Sequence, residues 1–276
     1  MNSTSQSYMN FNAFLRDCFP DFHHVANSYT QSLFFKYIGT NADVCPEIKF
    51  AVSYSDFFGK EIIIRNPTLL PFQILGAIVG LYGYIVIRGI NSLSVAYSYA
   101  FLNFCLMNIS SIFAHNFYRA YSENWHRAID IDVSFTCASC LCLILVAISS
   151  YIQIKNPFFI KILTPICVLL RYFVKLPFVA EIMYLGALMV ACISLFIRYY
   201  TLFRSTKQCW INFMIAAIGV GIFLHGISFE RNICEASNNT YSSISAVFFG
   251  CSVAFIAVLL FYKLEIQLFL KSKKIM

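Results

Sequence analysis

The sequence predicts an all-α membrane protein: a bundle of seven transmembrane helices with a small luminal N-terminal region. Three observations predict it. Apolar residues fill 59% of the 276 positions and charged residues only 12%, with 29 Phe and 17 Tyr, far from the balance of a soluble domain. Apolar runs long enough to cross a hydrocarbon core about 30 Å thick recur along the chain after residue 67. Lys and Arg gather mainly in the short connections and at the C-terminus, so the net charge of +7 speaks for membrane orientation and excludes a nucleic-acid role.

Residues 1–67 form the first unit. They hold no 18-residue apolar run and no charged segment leading into a short apolar stretch and a small-residue cleavage site, so no cleavable signal peptide is expected. The segment is too aromatic for a disordered tail, and VCPEIKFAVSYSDFFGKEIIIRN, with apolar stretches broken by turn residues, predicts a small strand-containing cap. His23 and His24 are adjacent and point different ways, which disfavours a joint metal site.

Residues 68–270 form the transmembrane domain, with spans expected at 68–87, 93–118, 129–152, 157–174, 178–203, 209–228 and 243–269. The fourth, PFFIKILTPICVLLRYFV, carries Lys161, Pro165 and Arg171 inside it; the two cations lie near opposite ends, where they can snorkel outward. Residues 271–276 form a cytosolic basic tail.

Orientation follows from the basic loops. An N-outside arrangement puts Arg88, Lys155, Arg198, Arg204, Lys207, Lys263, Lys271, Lys273 and Lys274 in the cytosol, against Arg119, Arg127, Lys175 and Arg231 outside. Lys60 and Arg65 argue weakly the other way. Asn238-Asn239-Thr240 is a glycosylation sequon before the last span, usable only in the lumen. The terminal KKIM, with Lys273 and Lys274, resembles the dilysine retrieval signal of endoplasmic-reticulum membrane proteins, and it equally fits a basic stop after a last helix.

With that orientation, His115, Asp130, Asp132, Arg171, Glu181, His225 and Glu230 all come to the outer level. They form one polar layer. Ionisable groups at membrane depth cost a few kcal/mol each, about 2.5 to 3.5 for Asp on insertion scales, and pairing within a layer lowers that cost. The plainest role of such a layer is an interhelical network that fixes bundle register.

Spacing gives a second reading. Ser111 and His115 stand four apart on one helix face, and Asp132 follows on the next helix. This pattern resembles the seven-span hydrolase superfamily of alkaline ceramidases, progestin and adipoQ receptors and Per1 factors. ERNIC, Glu230 to Cys234, resembles an acidic-x-x-x-Cys element of the ceramidases. The resemblance implies a zinc site in which the histidine joins an H-x-x-x-H on the last span, while serine and aspartate support the metal-bound water. Here the last span reads SSISAVFFGCSVAFIAVLLFY and contains no histidine. Catalytic zinc normally keeps three protein ligands, so a non-catalytic relative is expected. LPFQILGAIVGLYGYIVIRG and NWHRAIDID are also similar to the transmembrane protein 187 family. That resemblance implies a fold and a location, and no reaction.

Eleven cysteines occur. Those within spans, CASC at Cys137 to Cys140 included, read as small packing residues. Cys18 and Cys45 are disulfide candidates in an oxidising lumen.

Three functions follow as expectations. The first is a non-catalytic secretory-pathway membrane protein, in the endoplasmic reticulum or an early compartment, that binds membrane lipid or another membrane protein through the polar layer. The second is a zinc-dependent lipid amidase or hydrolase with a rearranged ligand set, its catalytic groups Ser111, His115 and Asp132. The third is a seven-helix receptor for a small ligand, against which stands the short loop RYYTLFRSTKQ.

Overall fold

The computed structural model of the chain describes residues 52–57, 60–64, 67–87, 91–118, 122–149, 156–174, 179–180, 182–204, 206–228 and 244–275. An antiparallel pair, β1 (Val52–Phe57) and β2 (Lys60–Ile64), precedes the helices, with Val52 opposite Ile64. The helices are α1 (Leu70–Val86), α2 (Ser92–Ile112), α3 (Glu123–Ile148), α4 (Phe158–Lys161), α5 (Leu163–Phe173), α6 (Ala187–Phe203), α7 (Lys207–Ser228) and α8 (Ile244–Ile275). Two π-helical segments, Phe113–Phe117 and Ile182–Gly186, extend the end of α2 and the start of α6.

Helix starts are chemically marked. Pro71 opens α1, where its missing N–H would have no partner in any case. The Asn91 side chain accepts from the Ser94 N–H at 2.8 Å to cap α2, and the Ser122 hydroxyl accepts from the Trp125 N–H at 3.2 Å to cap α3. Lipid supplies no substitute donors or acceptors, which raises the value of such caps.

By length and composition, four helical stretches among the described residues can cross a membrane: Ser92–Phe117, Glu123–Ile148, Ile182–Leu202 and Ile244–Leu268. Leu70–Val86 and Lys207–Phe223 are apolar but shorter. At 1.5 Å per residue the 17 residues of α1 reach roughly 25 Å, somewhat less than a hydrocarbon core. The structure therefore shows a helical protein with several apolar spans, four of them of membrane length among the described residues.

The fourth expected span, 157–174, is broken into α4 and α5 at Ile162. Pro165 has no N–H to give the Lys161 carbonyl four residues back, which is where α4 ends. At the other end of the chain, α8 runs on to Ile275, so the expected tail 271–276 continues the last helix almost to its end.

Two close helix contacts are made by glycine. A Cβ on Gly80 of α1 would lie 2.6 Å from the Cys105 backbone nitrogen of α2. On α7 and α8, a Cβ on Gly219 would lie 2.7 Å from the Ala254 nitrogen, and one on Gly250 would lie 2.6 Å from the Gly219 carbonyl oxygen. Only hydrogen fits at such approaches, the device by which membrane helices bring their backbones together. The α7–α8 contact is the largest in the bundle, and α7 touches α6 far less.

The core between α2, α6 and α8 is aromatic. Phe104 stacks on Phe255 (3.8 Å between centroids) and Tyr199 on Phe261 (4.0 Å), while Phe101 meets Phe255 and Tyr97 meets Tyr262 edge-on. The edge-on geometries are those the ring quadrupole favours.

Candidate functional site

Polar side chains collect at both ends of this core. At the end carrying His115, the π segment Phe113–Phe117 positions His115, whose ring meets Phe248 of α8 edge-on at 6.1 Å. The second π segment, Ile182–Gly186, supplies Tyr184 at the same end. Single π turns inside α-helices recur at functional sites, because the wider turn redirects side chains.

Ser111 is engaged with its own helix and with α1. Its hydroxyl donates to the Asn108 carbonyl at 2.7 Å and accepts from Gln73 Nε2 of α1 at 3.1 Å, all within buried surroundings. The sequence places Ser111 and His115 on one face, but the serine is turned towards α1. Asp130 of α3 pairs with Arg171 of α5, Oδ1 to Nε at 2.7 Å, both side chains largely shielded. That pair joins two helices, and removing one partner of a buried pair typically costs about 3–5 kcal/mol.

Asp132 lies deeper. It is buried at 7% exposure, within electrostatic reach of Tyr184 and of Cys251 on α8. Its backbone carbonyl accepts from the Thr136 hydroxyl. Its Oδ1 has no hydrogen-bond partner among the described residues. The same holds for three further buried oxygens: Gln73 Oε1, Asn108 Oδ1 and Ser245 Oγ. They come from α1, α2, α3 and α8. The two amide oxygens can only accept a hydrogen bond, whereas a hydroxyl, or a carboxyl in its neutral form, can also donate.

Gln73, Asn108 and Ser245 were not among the residues expected from sequence. The signal was present, since a side-chain amide inside an apolar run is itself a mark of interhelical bonding or of a polar interior site. Of the expected residues, Glu181, Glu230, Asn238, Cys18 and Cys45 fall outside the described residues, as do the side chains of His225, Lys273 and Lys274.

The zinc implied by the resemblance does not fit the donors among the described residues. Among the described residues no three of His, Cys, Asp or Glu gather to hold a metal ion. Where two histidines would be needed, α8 carries Ser245, Phe248, Cys251 and Ser252, and the Ser252 hydroxyl donates to the Phe248 carbonyl at 2.8 Å. Neutral hydroxyls are poor zinc ligands. The CASC cysteines are packed among α2, α5 and α6, with the free thiols of Cys137 and Cys167 in hydrogen-bonding contact.

The opposite end carries a second buried network that sequence reasoning missed. Arg198 of α6 pairs with Glu265 of α8 and donates through Nη1 to the Ser149 hydroxyl at the end of α3. The Tyr97 hydroxyl of α2 donates to Glu265 Oε2 at 3.1 Å and shares a 2.6 Å hydrogen bond with the Tyr199 hydroxyl. Arg198 was expected as a cytosolic connection charge. The structure adds that it is buried inside α6 at 6% exposure, held there by its carboxylate and hydroxyl partners.

No protein-family model, curated protein or solved structure matches this chain, so the geometry of these two layers is what carries any functional reading.

Proposed function

We propose that this chain is a seven-span, non-catalytic membrane protein of the secretory pathway, N-terminus luminal and C-terminus cytosolic, that holds the polar head of a membrane lipid in the buried layer at the His115 end. In this reading it is a degenerate relative of the seven-span hydrolase superfamily and resembles the transmembrane protein 187 family. One observation carries the reading: the buried oxygens Gln73 Oε1, Asn108 Oδ1, Asp132 Oδ1 and Ser245 Oγ, from four helices, have no donor among the described residues. Leaving such atoms dry costs about 1–3 kcal/mol each. The two amide oxygens in this set ask for a head group that brings O–H or N–H donors.

The test is mass spectrometry of lipids retained by the full chain after purification in mild detergent. About one lipid per chain, bearing hydroxyl or amine donors and lost in Asp132→Leu, supports the reading. Equal retention by Asp132→Leu would remove it. One zinc per chain, lost in His115→Ala, would favour the hydrolase instead. Orientation rests on the Asn238 sequon: a glycan there supports a luminal N-terminus, and an unmodified Asn238 in secreted-pathway membranes counts against it.

A further inference from the structure

We propose that the groove between the end of α2 and the start of α3 binds the phosphate head group of an anionic phospholipid, at a site separate from the buried layer. The groove encloses about 310 Å³. Its floor is apolar, with Phe113 and Ile131 exposed at 46% and 41%, and the hydroxyl-bearing Ser110 lies at its base. Its rim carries Tyr118, Asn124 and Arg127, which offer a phenol, an amide and a guanidinium.

Depth decides the occupant. Tyr118 lines the groove and Trp125 lies in the first turn of α3, at the ends of two membrane-length helices, where amphipathic aromatic rings settle at the level of lipid head groups. A ligand at this depth must satisfy a cation at the rim and cover exposed Phe and Ile below it. A phospholipid does both, with its phosphate on the guanidinium and an acyl chain on the ring and the side chain of Ile131. Arg127 has a rival anion, Glu123, one turn earlier on the same helix. Both side chains are mostly exposed, at 65% and 77%, and exposed pairs at this spacing are weak. A phosphate can bond the guanidinium through two oxygens, so it displaces or shares the carboxylate.

The rivalry supplies the test. The full chain is placed in nanodiscs of phosphatidylcholine doped with phosphatidylglycerol, and the lipid released with the protein by native mass spectrometry is counted. Phosphatidylglycerol should be enriched over its share in the disc. Arg127→Gln should abolish the enrichment, and Glu123→Gln should raise it about twofold, the scale of an exposed ion pair. Both residues are exposed, so both variants should keep the parent melting temperature; if one fails to fold, the other still decides. Equal enrichment in the parent and in either variant would overturn the proposal. So would full competition by inorganic phosphate, which would make this a phosphate site without lipid selectivity, or by a soluble acidic peptide, which would mark a protein contact.

Discussion

Arg198 and Glu265, sixty-seven positions apart in the chain, meet at 2.5 Å with side chains 5% and 20% exposed, and so tie α6 to α8 across an aromatic core. Tyr97, Tyr199 and Ser149 complete the set, so α2 and α3 are bound into the same knot. Glu265→Ala strands a buried guanidinium and should lower unfolding stability by about 3–5 kcal/mol. The double variant Arg198→Met, Glu265→Leu should recover much of that loss, because it strands no charge. Thermal unfolding in detergent compares the three chains; a double variant as unstable as the single one would show that the knot is not an ion-pair effect.

The Asp130–Arg171 pair predicts rescue by exchange. Arg171→Asp alone sets two carboxylates together and should reduce folded yield several-fold. Adding Asp130→Arg should restore at least half of it. Size-exclusion chromatography of detergent-solubilised protein reads the yield, and no recovery would mean that the two side chains depend on other neighbours.

Gly219 and Gly221 are two residues apart on α7 and should respond in opposite ways. Gly219→Leu places a side chain against the Ala254 backbone and should separate α7 from α8, with loss of folded protein. A Cβ on Gly221 meets nothing within 4 Å, so Gly221→Ala should be neutral or gain up to about 1 kcal/mol from helix propensity. Melting temperatures of the two variants decide.

Asp132 separates stability from binding. Its carboxylate has an unsatisfied oxygen, so Asp132→Leu in lipid-stripped protein should melt no lower than the parent, or higher by about 1–2 kcal/mol of recovered desolvation. Added lipid should then stabilise the parent and not the variant. A large loss of stability in stripped Asp132→Leu would mean that the residue holds the bundle together.

The membrane class was legible from composition, because nothing else accommodates so many Phe and Tyr with so few charges. Asp130 and Arg171 could be read as members of one layer, since each lies near a span end and the spans alternate. Which side chain meets which was not legible. Ser111 and His115 share a helix face at their spacing, yet Ser111 turns to Gln73, a choice made by where α1 packs and not by α2. Arg198 looked like an orienting charge because a cation near a span end serves that purpose in most chains. Its true partner lies in the last helix, and only tertiary contact reveals it. Pro165 was visible as an irregularity in the fourth span, and the break came one turn earlier, at the carbonyl it leaves without a donor.

The glycine contact between α7 and α8 also has a consequence for biosynthesis. These two follow one another among the described helices, and their backbones meet directly through Gly219 and Gly250 while α7 touches α6 far less. The pair can leave the translocon as a finished hairpin and then dock through the rings of α8 onto helices already in the bilayer. A chain cut between residues 204 and 206 would accordingly reassemble from two separately synthesised pieces, whereas a cut between α7 and α8 would leave α7 without its main neighbour.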